Sequence, residues 1–421
     1  MAAGPAPATP RRLIFLNRYF YPDHSATSQM LSDLAFALAK QGQPVSILTS
    51  RLRYDAPAGP LQPHETIGGV DVRRVWTTRF GRINLVGRAV DYATYYLTSA
   101  VALWRLARRG DAVIVMTDPP LLSVITGPIA RMRSSYSINW LQDIFPEVAT
   151  ASGIATGRVG GLGVALLTRL RDASLKSAAA NVVLGDRMAD RLQVRGICEA
   201  KIHVIPNWAD GDAIAPVPAA RNELRSAWGL DDAFVVGYSG NLGRVHEFET
   251  FLDAIERVEH SAPTSRRIVW LFIGGGSGLT QLQSEVGRRG LTSVQFRPYQ
   301  PRERLGMSLS AADVHLVSLR QELEGYVVPS KYYGIAAAGR PAIFVGDRDG
   351  EIARILERTG SGITIAECDG AGLAAAVTML ASDAAKTGSM GAAARANFDR
   401  EFSFSEATRR WIALLDRLKT D

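Results

Sequence analysis

Residues 13–50, LIFLNRYFYPDHSATSQMLSDLAFALAKQGQPVSILTS, decide the fold. Leu13 to Leu16 is an unbroken apolar run of strand length. The polar turn NRYFYPDHSAT follows. Met30, Leu31, Leu34, Ala35 and Leu38 then recur at helical spacing on one face. Gly42 ends that helix, and Val45 to Thr49 is a second apolar run. A strand, a loop, a helix and another strand in this order open a doubly wound α/β sheet.

The same rhythm extends outward. Val113 to Met116, Ser137 to Trp140, Asn181 to Leu184 and Ile202 to Ile205 read as further strands, the last closing at Pro206-Asn207. Residues 209–233 are rich in Ala, Pro and Asp, which places a linker near their start. The pattern then restarts: strands over Phe234–Tyr238, Ile268–Ile273, Val294–Phe296, Val314–Ser318, Pro341–Val345 and Gly362–Ile365, with helices over Phe248–Val258 and Leu279–Arg288. Alternation of this kind predicts a second parallel sheet. The halves are not a sequence repeat. The expected division is a disordered tail over 1–11, one α/β domain over 12–212, a second over 213–400, and a closing amphipathic helix within 401–421 that carries Trp411, Leu414 and Leu415.

With 421 residues and 47% hydrophobic content, the chain suits two cores rather than one. No run of 18 apolar residues occurs; the nearest, Leu85 to Leu106, contains Arg88, Asp91 and Arg105. The Ala/Pro-rich opening lacks the apolar stretch of a signal peptide. Cys198 and Cys368 form no motif and point to a reducing, cytoplasmic compartment. Charge is uneven. Residues 1–210 hold 24 Lys and Arg against 15 Asp and Glu, whereas residues 211–421 hold 24 against 26. A basic half faces nucleic acid, an anionic membrane, a phosphorylated lipid or plain solvent. No nucleic-acid motif is present, so a nucleic-acid partner is not expected.

Two clusters carry chemistry. Tyr238-Ser239-Gly240-Asn241-Leu242-Gly243-Arg244 joins a strand to a helix, and Gly240 and Asn241 with Arg244 are suited to a phosphate. Glu324-Gly325-Tyr326-Val327-Val328-Pro329-Ser330-Lys331 opens another helix; its backbone N–H groups and Lys331 are placed for a diphosphate, and Glu324 for sugar hydroxyls. Each is also readable as an ordinary turn. Asp347-Arg348-Asp349 is read as a polar loop, and no His/Cys metal spacing occurs. Between Arg79 and Arg109 lie six arginines and several aromatics. Val86, Ala89, Ala93, Tyr96, Ala100 and Trp104 share a helical face there, read first as core and alternatively as a membrane dock.

The segments YFYPDHSATSQMLSDLAFALAKQG, WLQDIFPE, VIPNW, GYSGNLGRVHEFETFL, FIGGGSG, LSAADVHLV and EGYVVPSKYYGIAAAGRP run in order over roughly residues 12 to 417. As an ordered set they resemble bacterial glycosyltransferase family 4, with the GT-B fold, and most nearly the subgroup that builds capsule, exopolysaccharide or O-antigen repeats, including transferases of N-acetylated deoxyamino sugars. The resemblance implies two Rossmann-like domains facing across a cleft, with the last helix crossing back to the first domain. It also implies donor contacts at Ser25, Ala26 and Thr27, at Gly240, Asn241 and Arg244, at Tyr299, and at Glu324 through Val328 with Lys331.

The chain departs from the family pattern in places. Asn241 and His246 stand where the family has Arg and Lys. Tyr332 stands where a second motif Glu is usual, and Glu351 is the candidate substitute for its contact with ribose. Asp143 is the candidate base or acceptor-orienting group, and His24 and Glu324 are the other catalytic candidates.

The implied activity is transfer of a hexose or N-acetylated amino or deoxyamino sugar from a UDP-sugar to a lipid-linked saccharide on polyprenyl diphosphate. Retention at the anomeric carbon is implied, with no catalytic metal and no cofactor beyond the nucleotide-sugar co-substrate. The expected location is cytoplasmic and peripheral, at the inner face of the cytoplasmic membrane through the basic first domain. Two rivals stand beside it: a UDP-N-acetylglucosamine 2-epimerase on the same fold, and a non-catalytic nucleotide-sugar-binding scaffold.

Overall fold

A computed structural model describes residues 12–54, 61–81, 85–151, 158–243, 245–261 and 266–420. The tail expected over 1–11 and the candidate Arg244 lie outside the described residues. The chain divides into two compact units. The first takes the chain through Leu184, then Met188–Ile205 and the end from Thr408; the second takes Gly185–Arg187 and Pro206–Ala407.

The first unit runs β1 (Leu13–Leu16), α1 (Ala26–Lys40), β2 (Val45–Ser50), β3 (His64–Ile67), β4 (Val70–Val75), α2 (Leu85–Leu106), β5 (Ala112–Met116), α3 (Leu122–Met132), β6 (Tyr136–Trp140), α4 (Glu147–Ala151), α5 (Arg158–Ser177), β7 (Ala180–Val183), α6 (Asp186–Val194) and β8 (Ile202–Val204). The sheet order is β3-β4-β2-β1-β5-β6-β7-β8, parallel except for β3 against β4. β1, β2 and β5 are buried along their whole length, because helices cover both faces of the sheet. α1 seals one face with Leu31, Leu34 and Leu38, all fully buried. At about 1.5–3 kcal/mol per side chain, that burial outweighs the tenths of a kcal/mol at stake in helix propensity.

The β3–β4 hairpin is an addition to the expected strands. Its turn is Gly68-Gly69, both at positive φ, as a two-residue hairpin loop requires. The β4-to-β5 crossover runs opposite to the β1-to-β2 crossover. Right-handedness therefore puts α2, α3 and α5 on the face away from α1, and α3 packs against both α2 and α5. The buried side of α2 is Asp91, Tyr95, Ser99, Leu103 and Leu106. The face read first as core is the wrong one. Val86, Ala89, Ala93 and Trp104 are exposed, and Tyr96 and Ala100 are only half-buried. Polar Asp91 takes the inner side because its carboxylate has partners there, Thr78 Oγ1 and Arg18, while the Ser99 hydroxyl donates to the Tyr96 carbonyl of its own helix.

The second unit runs α7 (Glu223–Ala227), β9 (Ala233–Asn241), α8 (Glu249–Glu259), β10 (Arg267–Gly275), α9 (Ser277–Arg289), β11 (Val294–Arg297), α10 (Leu305–Ser310), β12 (Val314–Ser318), α11 (Lys331–Ala337), β13 (Ala342–Val345), α12 (Glu351–Thr359), β14 (Gly362–Ile365), α13 (Gly370–Ser382), α14 (Ala384–Asn397) and α15 (Phe404–Thr420). Its sheet, β11-β10-β9-β12-β13-β14, is wholly parallel. Trp270, Phe272, Phe251 and Tyr238 fill one side of it.

The unit boundaries fall seven residues away from the expected 212 and 400, at 205 and 407. Ile205 still donates its N–H to the Val183 carbonyl of the first sheet. Trp208 already packs on Phe404, ring centres 5.8 Å apart, and Ala209 bridges Ser403. The part of α15 from Thr408 groups with the first unit, where the Trp411 ring lies 4.9 Å from that of Trp140.

Candidate active site

In the second unit β9 and β10 end side by side, with Gly240 opposite Gly274 and Asn241 opposite Gly275. Gly274 sits at φ +135, and any side chain there would collide with the Gly240 carbonyl. Glycine is therefore required for the two strand ends to approach each other. Beside these turns stands Lys331, the first residue of α11. Its ammonium donates to the Tyr238 hydroxyl, lies over the Tyr238 ring at 4.1 Å, and reaches the Asn241 carbonyl at 3.3 Å. It also lies 3.2 Å from His246 Nε2.

His246 Nδ1 is 2.6 Å from the Ser318 carbonyl. A carbonyl only accepts, so Nδ1 carries the proton and Nε2 is left to accept from Lys331. Burial, then the Lys331 charge, press the His246 pKa down to about 3, which keeps the ring neutral. Burial lowers the Lys331 amine to about 7. All three of these acceptors are neutral. A desolvated ammonium with neutral partners at the end of two glycine-lined strands is a site for an anion.

The motif around Glu324 is folded on itself. Gly325, at φ +78, turns the chain so that its own N–H meets Glu324 Oε1 at 3.2 Å, and the Tyr326 N–H goes to the Leu323 carbonyl. Two of the four amides expected to face a ligand are thus spent internally, because a tight left-handed turn closes on its own carboxylate. Val327 forms a bridge with Glu324, and Val328 is buried. Glu324 Oε1 also accepts the Glu351 N–H at 2.9 Å, at the start of α12. Burial raises its pKa.

Glu351, the candidate ribose carboxylate, accepts the Arg187 N–H at 2.9 Å, within the second unit. Burial raises it to about 7 against that hydrogen bond, with Asp186 and Glu324 adding to the rise. Tyr332 is fully buried, edge-on to Phe402 at 6.0 Å, so the position where the resemblance implies a second Glu points into the core here. Tyr299 is 59% exposed. In Asp347-Arg348-Asp349, Asp347 accepts the Asp349 N–H and Asp349 pairs with Arg354 and Arg187.

In the first unit Ser25, Ala26 and Thr27 form the start of α1, where the first amides have no intrahelical acceptor. Asp23 holds this turn through the Ser25 and Tyr54 N–H groups. The hydroxyl of Ser25 is buried without a partner. His24 is exposed; its carbonyl accepts from the Gln29 side chain. Asp143 follows β6. It lines a small cavity of about 20 Å³ with Thr117, Asn139, Leu121, Phe145 and Arg171, enough room for one water. Its Oδ1 is buried without a partner. Burial raises its pKa to about 6, a hydrogen bond from Thr117 opposes that, and the charge of Asp118 adds to it. A carboxylate with an open oxygen and a pKa near neutrality is equipped to take a proton.

Two family models match the chain: the glycosyl transferase 4-like domain over residues 26–208, and glycosyl transferases group 1 over residues 233–383. The chain belongs to the family 4 type of glycosyltransferases. The transferase is 28% identical to the probable glycosyltransferase WbjE of Pseudomonas aeruginosa over 285 residues, 68% of this chain and 69% of that one. It is 25% identical to the putative colanic acid biosynthesis glycosyl transferase WcaI of Escherichia coli over 242 residues, 56% of this chain and 57% of that one. Its fold is that of Anabaena HepE, solved with UDP and glucose, at a TM-score of 0.71, 14% identity, and coverage of 97% and 100%. With two parallel-sheet α/β units and this neighbour, the transferase has the GT-B fold.

Sequence reasoning missed Tyr238 and His246 as site residues. The signal was there: the family resemblance implies a Lys at the place of His246, and a lysine arrives at that place from α11.

Proposed function

We propose that the transferase moves a hexose or an N-acetylated amino or deoxyamino sugar from a UDP-sugar to a lipid-linked saccharide, with retention, in the synthesis of a cell-surface polysaccharide. The observation that carries the donor half is the Lys331 ammonium among Tyr238, Asn241 and His246, a charge that a leaving diphosphate complements. UDP bound to HepE supports the nucleotide, and the colanic acid relationship of WcaI supports the product class. In this reading Asp143 orients or deprotonates the acceptor hydroxyl. The reaction needs no metal, so EDTA leaves the rate unchanged.

The test is release of free nucleotide from a panel of UDP-, GDP- and ADP-sugars, with and without a bacterial lipid extract. The proposal expects release that requires both one UDP-sugar and the lipid. Binding without release, whatever lipid is present, would overturn it in favour of a binding protein. Conversion of the sugar without an acceptor would make the protein an epimerase.

A further inference from the structure

The helical layer α2–α3–α5 of the first unit carries large apolar side chains on its outer surface. On α2 these are Val86, Val90, Leu97, Val101 and Trp104, between 39% and 69% exposed. Their spacings of four, seven, four and three residues keep them on one side of the helix, opposite the buried Tyr95, Ser99 and Leu103. On α5 Leu162, Leu166 and Leu170, each four residues on, are 80%, 58% and 42% exposed. α3 lies between the two and ends on Met132, 63% exposed. Patches of this kind mark a contact surface.

The charged groups around these stripes are of one sign. Arg88, Arg105, Arg108, Arg109, Arg131 and Arg169 are exposed. Arg133 sits 5.4 Å over the Trp104 ring. The carboxylates that α2, α3 and α5 contribute are Asp91 and Asp172. Asp91 is buried, accepts from Thr78, Phe80 and Gly81, and pairs with Arg18. Asp172 is taken by Arg171 and Arg195. No described helix is long and apolar enough to cross a membrane.

We infer that the α2–α3–α5 face seats this transferase on the surface of an anionic phospholipid bilayer, with the Val86–Trp104 and Leu162–Leu170 stripes sunk among the acyl chains and the arginines on headgroup phosphates. Apolar residues flanked only by cations fit an anionic interface. A second copy of the chain fits poorly, because two such faces would bring arginine against arginine with no exposed carboxylate on these helices to receive them. The inference extends the lipid-linked acceptor reading by naming the surface that meets the lipid.

The test is sedimentation of the full-length protein with phosphatidylcholine vesicles, with and without phosphatidylglycerol, and no substrate present. Wild type is expected to sediment with the anionic vesicles and to be released by salt. The pair Leu97→Ser and Leu166→Ser is expected to weaken partitioning about ten-fold or more, and Arg105→Gln with Arg108→Gln roughly five-fold per arginine on anionic vesicles only. Both variants change exposed residues and keep the wild-type circular dichroism spectrum.

Wild type that stays in the supernatant with anionic vesicles at low salt would overturn the proposal. So would a wild-type dimer that the Leu→Ser pair converts to monomer. Turnover on a detergent-dispersed lipid acceptor without sedimentation overturns the docking face and leaves the acceptor reading standing. Sedimentation without lipid-dependent nucleotide release does the reverse.

Discussion

Asp143 in the first unit and Lys331 in the second are both half-buried ionisable groups whose pKa values burial shifts, and they are held in opposite ways. The Lys331 ammonium is clamped by three neutral acceptors and has its pKa lowered to about 7. The Asp143 carboxylate keeps one oxygen without a partner beside a water-sized cavity and has its pKa raised to about 6. The clamp fixes a charge in place, and the open oxygen leaves a proton somewhere to go. One arrangement suits static stabilisation of a diphosphate, the other suits proton transfer.

Six measurements would break or sharpen this contrast. The largest effect is expected from Asp143→Asn. Loss of a positioned base lowers kcat by about 10²–10⁴-fold while leaving donor affinity unchanged. If donor binding fell instead, the carboxylate would be a binding group and the contrast would fail. Next, Lys331→Met is expected to weaken donor binding by the order of 2–5 kcal/mol, as removal of one partner of a buried charge pair does.

The same Lys331→Met substitution is expected to raise the thermal midpoint of the ligand-free protein, and more at pH 6 than at pH 9. The sign follows from the lowered pKa. The unfolded chain binds the lysine proton more tightly than the folded one, so wild-type stability rises with pH from about 7 toward the ordinary lysine value, and the cost of the buried charge is greatest below about 7. An unchanged midpoint at pH 6 would show that the amine is better solvated than its surroundings indicate.

The fourth measurement is the pH dependence of kcat/KM in the free enzyme. It is expected to rise through about 6 as Asp143 loses its proton and to fall through about 7 as Lys331 loses its own. A profile flat from pH 5 to pH 9 would remove both groups from the chemistry. The smallest effects are structural. Glu324→Ala deprives the Glu351 N–H at the start of α12 of its acceptor and is expected to cost about 0.5–2 kcal/mol of stability by denaturant unfolding. A loss of turnover much beyond that would place Glu324 on the sugar as well. Tyr332→Phe gives up a hydroxyl contact to Ser361 at 3.4 Å and is expected to cost under about 1 kcal/mol, with activity intact.

Much of the fold was legible in the chain. The strands at 13–16, 314–318 and 362–365 lie where their apolar runs predicted. The β3–β4 hairpin escaped because its strands are short and half-exposed, although Gly68-Gly69 between alternating residues was a turn signal. The site was less legible. Gly240, Asn241 and Lys331 were named as neighbours in function, and they do meet. His246 was noted only as a departure from the family's Lys, and Tyr238 only as the end of a strand, because the lysine that they hold lies 85 and 93 positions away.

The sequence by itself determined that there are two α/β units, where most of their strands lie, and which turns are rich in glycine. Those properties depend on neighbours a few residues apart, through the periods of strands and helices. It also carried the excess of basic over acidic residues in the first half. Only the tertiary structure decided which face of α2 is buried, because the helix is apolar on both sides and the remote partners of Asp91 lie on one of them. Only the tertiary structure closed Lys331 against Tyr238, Asn241 and His246, turned Tyr332 into the core, and left Asp143 with an open oxygen. Desolvation and hydrogen bonding at these positions are set by groups remote along the chain, and no local pattern encodes them.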